Sequence, residues 1–132
     1  MCKRIFIIED DVNILAGLQA KFSSEGYMVF TSAGLENIHE LIKKIAESDV
    51  VCVILDIVLP KFDGFEVLQA IKADDGICKI PVFIFTNLAD KDTRHKCDIL
   101  GAAHVFVKNE FMLDDFVTKI KKIINNREKV KL

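Results

Sequence analysis

The chain has 132 residues, of which 51% are hydrophobic and 29% charged, and its formal net charge at pH 7 is −2. This length predicts one domain that buries roughly two-thirds of its unfolded surface. The nearly neutral charge gives no overall basic field for nucleic acid, and no apolar run reaches membrane length, so we expect no direct nucleic-acid partner and no membrane partner. Four cysteines without a CxxC pair indicate a reducing, cytoplasmic compartment.

Five short runs of β-branched and aromatic residues are predicted as strands. They lie at residues 5–8, 27–31, 50–55, 81–85 and 103–107. Several are apolar throughout, which is typical of strands covered on both faces. Amphipathic segments with apolar residues at helical spacing alternate with these runs. The segments are 14–22, 35–45, 65–71, 90–100 and 111 to about 124.

This alternation predicts βαβ units with right-handed crossovers, and therefore an α/β fold with a parallel sheet between two layers of helices. We expect the domain to occupy residues 1–125 and the tail, 126–132, to be a frayed helix end.

Polar side chains follow four of the predicted strands at the point where each strand ends. Glu9 and Asp10 follow the first strand, Asp56 the third, Thr86 the fourth and Lys108 the fifth. Because the carboxyl ends of parallel strands lie at one edge of a sheet, these side chains are expected to converge there. The carboxyl edge is where open α/β sheets bind ligands, so the cluster predicts a functional site.

Simpler interpretations exist for some of these residues. Asp10 or Asp11 is able to cap the helix that starts near Val12, and capping is the role we favour for Asp11. Lys108 alone would be read as a solvated charge at the end of a strand. Asp56 has no comparable structural role, since it follows an apolar strand without leading directly into a helix.

In these segments the chain resembles the receiver domain of two-component response regulators, and the resemblance covers essentially its whole length. The matching segments are Glu9-Asp10, Leu55-Asp56-Ile57-Val58-Leu59-Pro60, Asp63-Gly64-Phe65-Glu66-Val67-Leu68, Ile80-Pro81-Val82 up to Thr86, and Gly101-Ala102 leading to Phe106-Val107-Lys108. The resemblance implies a flavodoxin-like (βα)5 fold with strand order 2-1-3-4-5, in which residues 1–125 form the receiver domain.

The resemblance also implies a chemistry for the acidic residues. Asp56 would accept a phosphoryl group from a phosphohistidine donor and form an aspartyl phosphate. Glu9, Asp10, Asp56 and the backbone carbonyl of Val58 would hold Mg²⁺, or Mn²⁺, which prefers oxygen ligands. On this interpretation the protein is a phosphoacceptor switch rather than an enzyme, and at most it catalyses its own phosphorylation and dephosphorylation.

Three further residues receive roles from the resemblance. The Lys108 ammonium and the Thr86 hydroxyl would contact phosphoryl oxygens. Thr86 and Phe106 would form the switch, although Phe106 is equally interpretable as a core aromatic. The implied partners are a sensor histidine kinase or a histidine phosphotransfer protein, and an output protein that binds helix 4, strand 5 and helix 5.

The sequence departs from the receiver pattern at two positions. Receivers usually have a proline after the strand-five lysine, often with a cis peptide bond, whereas Asn109 follows Lys108 here. The isomer of this bond, and with it the aim of Lys108, is left open by the sequence. Asn87 follows Thr86 where receivers usually have a small residue, and we expect it to affect the lifetime of the phosphorylated state.

The sequence is compatible with three functions. The favoured one is a phosphorylation-operated switch in a two-component or phosphorelay system. The alternative is an interaction domain of the same fold that works without phosphorylation, which a displaced Lys108 would favour. An FMN-binding protein or an aspartyl-phosphate phosphatase is disfavoured, because no phosphate-binding loop follows Ile8 and no aspartate stands two positions after Asp56.

Overall fold

The computed structural model describes residues 2–130 of the chain. Its strands are β1 (Arg4–Ile8), β2 (Met28–Ser32), β3 (Cys52–Leu55), β4 (Val82–Thr86) and β5 (His104–Val107). Its helices are α1 (Val12–Ser24), α2 (Ile38–Ser48), α3 (Gly64–Ala73), α4 (Lys91–Ile99) and α5 (Leu113–Val130), and a 3₁₀ turn over Lys108–Glu110 lies between β5 and α5.

The five strands form one parallel sheet in the order β2-β1-β3-β4-β5, which confirms the predicted flavodoxin-like order 2-1-3-4-5. Every residue of β3 and β4 is buried, whereas β2, at one edge, is mostly half-buried or exposed. The apolar runs in the sequence are explained by this position, because a central parallel strand is covered by helices on both faces.

Side chains alternate between the two faces of the sheet and build two cores of different composition. On the face covered by α2, α3 and α4, the buried core is mainly aliphatic and includes Ile8, Leu55 and Leu68. The opposite face, covered by α1 and α5, holds five of the six buried phenylalanines, among them Phe85 and Phe116. Both cores extend to the carboxyl ends of the strands and support the residues that follow there.

The start of the second predicted helix and the end of the fifth differ from the structure. Leu35 was expected in the second helix, but α2 begins at Ile38 because the Asn37 side chain accepts the Glu40 N–H at 2.8 Å and caps the helix there. Leu35 lies before this cap and is 65% exposed.

At the other end of the chain, α5 continues to Val130 rather than ending near residue 124. Most of the predicted tail, 126–132, is therefore helical, and its residues 131–132 lie outside the described part. In contrast, the predicted cap at Asp11 is confirmed, since its side chain accepts the N–H groups of Asn13 and Ile14.

Gly64 allows α3 to start close to the strand end that carries Asp56. A Cβ at position 64 would overlap the Asp56 carbonyl oxygen and the Ile57 Cα. The Gly64 N–H donates to the Ile57 carbonyl at 2.7 Å, and the Asp63 side chain caps α3. A glycine is required here because backbone meets backbone. Across residues 2–130, no helix is long and apolar enough to cross a bilayer.

Candidate functional site

The sheet ladders place Glu9 and Asp56 one residue beyond the ends of their strands. The Glu9 N–H donates to the Ser32 carbonyl at 3.0 Å, and the Asp56 N–H donates to the Ile8 carbonyl at 3.1 Å. These bonds continue the parallel pairing past β1 and β3, so both backbones are fixed by the sheet. Glu9 is only 2% exposed and Asp56 only 5% exposed. Two carboxylates are therefore held side by side in a site with little access to water.

Lys108 provides the positive charge between these two carboxylates. Its Nζ lies 2.6 Å from Asp56 Oδ2 and 2.6 Å from Glu9 Oε1. The described residues contain no cis peptide bond, so Lys108 reaches both partners through a trans Lys108–Asn109 bond. The isomer left open by the sequence is therefore trans, and the turn after β5 directs the side chain back across the sheet edge.

Asp10 completes a set of three carboxylates. Glu9, Asp10 and Asp56 each offer an oxygen, and these three oxygens lie within 4.8 Å of one another. Asp10 is exposed, whereas the other two are buried, so the set opens to solvent on the Asp10 side. Three oxygen donors at this spacing fit a small divalent cation such as Mg²⁺, which is bound by a few carboxylates while keeping several waters.

Burial governs the electrostatics of the site. Desolvation raises the pKa of Glu9 to about 7, although hydrogen bonds from Lys108 and from the Asp11 N–H oppose the shift. Burial alone would lower the pKa of Lys108, but its bonds to Asp56 and Glu9 dominate and raise it. Lys108 is therefore positively charged at neutral pH, whereas the carboxyl group of Glu9 changes its protonation state in this pH range.

Thr86 ends β4 beside this cluster. It is completely buried and is paired in register with Val107, the residue before Lys108. Its Oγ1 accepts the Leu88 N–H at 3.2 Å, and this bond ties the hydroxyl to the first residues of the β4–α4 connection. The structure thus places Thr86 and Lys108 at the ends of adjacent strands, as the sequence predicted.

Phe106 lies below the site in an aromatic cluster. It is 7% exposed, and its ring is edge-on to Phe111 and Phe116, with centroids 5.6 Å and 5.4 Å away. Phe116 in turn stacks on Phe85 at 3.9 Å. Phe85 precedes Thr86 and Phe106 lies two residues before Lys108, so this cluster supports both residues from beneath.

The backbone carbonyl of Val58 was predicted to be a ligand of the cation, and none of the contacts described for Val58 involves that carbonyl. The Val58 N–H donates to Asp56 Oδ1 at 3.3 Å, which places its backbone next to the acidic set. The role of its carbonyl as a cation ligand remains a prediction.

An apolar rim on the connections at the carboxyl edge was not predicted from the sequence. Each strand is followed, at or before the start of the next helix, by an exposed apolar residue: Val12, Leu35, Val58, Leu88 and Met112. Val58 and Leu88 also line an open cleft of about 450 Å³ that includes Phe62 and Phe65. The sequence held a signal for this rim, because Val12, Val58 and Leu88 are apolar yet lie outside both the predicted strands and the predicted helices.

Comparison with known proteins agrees with this geometry. The response regulator receiver domain family model matches residues 5–121. The chain belongs to the response regulator receiver domain family, whose members act in two-component systems as phosphoacceptor switches. The crystal structure of a response regulator receiver domain protein from Methanospirillum hungatei JF-1 is similar, with a TM-score of 0.84, 26% identity and coverage of 98% of each chain.

Two curated relatives differ in the share of their length that the chain covers. The chain is 31% identical to the sensory transduction protein BceR of Halalkalibacterium halodurans, covering 92% of this chain and 49% of that protein. It is also 31% identical to sporulation initiation phosphotransferase F of Bacillus subtilis, covering 94% of this chain and 95% of that protein. The chain thus spans about half the length of several relatives and nearly all of another.

Proposed function

We propose that the protein is a phosphorylation-operated switch in which Asp56 accepts a phosphoryl group from a phosphohistidine. The observation that carries the proposal is the position of the Lys108 ammonium, 2.6 Å from Asp56 Oδ2. A carboxylate that attacks a phosphoryl group is an anion approaching an anion, and a fixed cation beside it offsets their repulsion. Transfer forms a bond between an Asp56 oxygen and phosphorus as the bond to the histidine nitrogen breaks.

Glu9, Asp10 and Asp56 are proposed to hold Mg²⁺, or Mn²⁺, with the Val58 carbonyl as a further ligand. When bound, the cation neutralises charge on the phosphoryl oxygens. The three oxygens within 4.8 Å support this assignment. Lys108 already contacts Glu9 and Asp56, so its ammonium is placed to shift onto a phosphoryl oxygen that arrives at Asp56.

Thr86 and Phe106 are proposed to report phosphorylation. Thr86 Oγ1 accepts the Leu88 N–H, and its own O–H would donate to a phosphoryl oxygen bound at Asp56 and draw the side chain toward it. Movement of Thr86 would disturb the packing of Phe106 below. We infer that the face formed by α4, β5 and α5 then changes its affinity for an output protein.

The donor is proposed to be a sensor histidine kinase or a histidine phosphotransfer protein. The apolar rim and the adjacent cleft near Val58 and Leu88 support protein contact directly over Asp56. Four free thiols support a reducing, cytoplasmic compartment. The alternative, an interaction domain that works without phosphorylation, was linked to a displaced Lys108, and the two ion pairs of Lys108 weigh against it.

The proposal is tested by labelling with acetyl phosphate and Mg²⁺, followed by intact-mass measurement. The wild type should gain one phosphoryl mass, and Asp56→Asn should gain none because the nucleophile is absent. Asp11→Asn is the matched control, since it changes a nearby exposed aspartate into another good helix cap and should still be labelled. Equal labelling of Asp56→Asn, or none of the wild type, would contradict the proposal.

A further inference from the structure

One hydrogen bond joins the two connections that flank Lys108. The Asn109 backbone N–H donates to Asn87 Oδ1 at 3.0 Å. Because the donor is a backbone N–H, the acceptor must be the side-chain oxygen of Asn87, which fixes the orientation of its amide. Asn87 follows Thr86 directly, and Asn109 follows Lys108 directly. The bond therefore links the chain just after β4 to the chain just after β5.

The backbone at Lys108 has little support from its own local structure. The 3₁₀ turn over Lys108–Glu110 spans three residues and is closed by a bond of 3.3 Å from the Phe111 N–H to the Lys108 carbonyl. Such short turns are weakly stabilised by themselves. The Lys108 side chain must nevertheless hold two contacts of 2.6 Å across the sheet edge, which requires its backbone to be fixed. The Asn87 amide provides a bond to that turn from the neighbouring strand.

We propose that Asn87 is a positioning residue for Lys108. By accepting the Asn109 N–H it holds the turn in the geometry from which the ammonium reaches Asp56 and Glu9. The inference rests on the proposed phosphoryl transfer to Asp56. It also explains why the two departures from the receiver pattern occur together, because a proline at position 109 would have no N–H for Asn87 to accept.

The rate of labelling by acetyl phosphate with Mg²⁺ tests this link. Asn87→Ala should slow labelling about fivefold, the range expected for the loss of one neutral hydrogen bond. Asn109→Ala keeps the backbone N–H and should label at the wild-type rate. Asn109→Pro removes the N–H and disfavours the helical backbone of the preceding Lys108, so it should also be slow.

The double variant separates a shared bond from two independent defects. Once Asn109→Pro has removed the N–H, adding Asn87→Ala should change the rate by less than about twofold. If Asn87→Ala instead causes the same loss in the wild-type and Asn109→Pro backgrounds, the two residues act independently and the proposal is wrong.

Two readouts distinguish positioning from a general loss of structure. In Asn87→Ala the Asn109 amide proton should shift upfield in the NMR spectrum and exchange faster with solvent. Mg²⁺ should bind about twofold more tightly to this variant, since a less constrained Lys108 competes less for the carboxylates, whereas partial unfolding would weaken binding. An unchanged Asn109 amide resonance would overturn the inference. Failure of the wild type to label would overturn the proposed function, and the NMR readout would still test the link.

Discussion

The interior of the sheet and its carboxyl edge differ sharply although they are one residue apart along the chain. Ile8, Leu55 and Phe85 are apolar and buried in the cores, whereas the residues that follow them are Glu9, Asp56 and Thr86. The interior is stabilised by non-directional burial that many apolar residues share. At the edge, the buried carboxylates of Glu9 and Asp56 share a single ion-pair partner, the ammonium of Lys108.

This difference implies that stability and chemistry are separable in this protein. A change in the interior removes packing contacts but leaves the charges in place. A change at the edge leaves the packing in place but alters the pairing among the charges of Glu9, Asp56 and Lys108. An interior substitution should therefore lower stability and leave phosphorylation nearly unchanged, whereas an edge substitution should change phosphorylation and alter stability only through the charges left unpaired.

The largest effect is expected from truncating an interior aromatic residue far from the edge. Phe22 on α1 is fully buried and is edge-on to Tyr27, with ring centroids 5.5 Å apart. Phe22→Ala should lower the free energy of unfolding by about 3–5 kcal/mol, through lost burial and the cavity left behind. Urea denaturation measures this loss, with Phe22→Leu as the milder control.

Labelling of Phe22→Ala by acetyl phosphate should stay within about twofold of the wild type under conditions where the variant is folded. A large loss of labelling in folded Phe22→Ala would show that the interior and the edge are not separable.

The next largest effect is expected from removing the cation at the edge. Lys108→Met keeps most of the side-chain volume and should slow labelling about 10²–10³-fold, which is typical for loss of a group that stabilises developing charge. It should also destabilise the protein without Mg²⁺, since it leaves the buried carboxylates of Glu9 and Asp56 unpaired. Millimolar Mg²⁺ should restore much of that stability but not the rate.

Lys121→Met is the matched control for this experiment. Lys121 forms a surface ion pair with Glu25 at 2.8 Å, and such pairs contribute little. Equal labelling rates in Lys108→Met and Lys121→Met would remove Lys108 from the proposed chemistry.

How well the sequence predicted each region follows from the range of the interactions involved. The strands and their order were predicted, because hydrophobic periodicity records burial directly and the family resemblance gave the order. Glu9, Asp56 and Lys108 were predicted to converge because parallel strands end at a common edge. The structure brings these three residues together at that edge, where the Lys108 ammonium contacts both carboxylates.

The parts that were not predicted depend on contacts between connections. The bond between Asn87 and Asn109 requires a known distance between two loops that are far apart in sequence. The start of α2 at Ile38 was missed because Leu35 fits the helical spacing, while the local bond at Asn37 decides where the helix begins. Periodicity reports which face is apolar but does not report which polar group closes a helix end.

A smaller effect is expected from the exposed member of the acidic set. Mg²⁺ bound at Glu9, Asp10 and Asp56 should stabilise the wild type by about 2.7 kcal/mol at a concentration one hundredfold above Kd. Asp10→Asn should lose most of this gain while changing the metal-free protein little, because Asp10 is exposed. Thermal melts with and without Mg²⁺ measure the gain.

Asp63→Asn is the control for Asp10, because Asp63 caps α3 outside the acidic set and asparagine caps equally well. A full response to Mg²⁺ in Asp10→Asn would place the cation elsewhere.

The smallest effect is a dependence of stability on pH that comes from Glu9. Its pKa is raised from 4.5 to about 7 in the folded state, chiefly by burial. Between these values the folded protein holds a proton that the unfolded chain has lost. Glu9 therefore contributes stability that is fully present below pH 4.5 and is lost as the pH rises through about 7.

In metal-free buffer, the stability difference between Glu9→Gln and the wild type isolates this contribution from all other carboxylates. The variant should gain about 2 kcal/mol relative to the wild type between about pH 5 and pH 8, since glutamine never acquires the buried charge. In the wild type, the gain from Mg²⁺ should increase over the same range, because the cation requires ionised Glu9. A constant difference between the two proteins across this range would show that Glu9 is ionised throughout, and that Lys108 fully offsets its burial at the edge of the sheet.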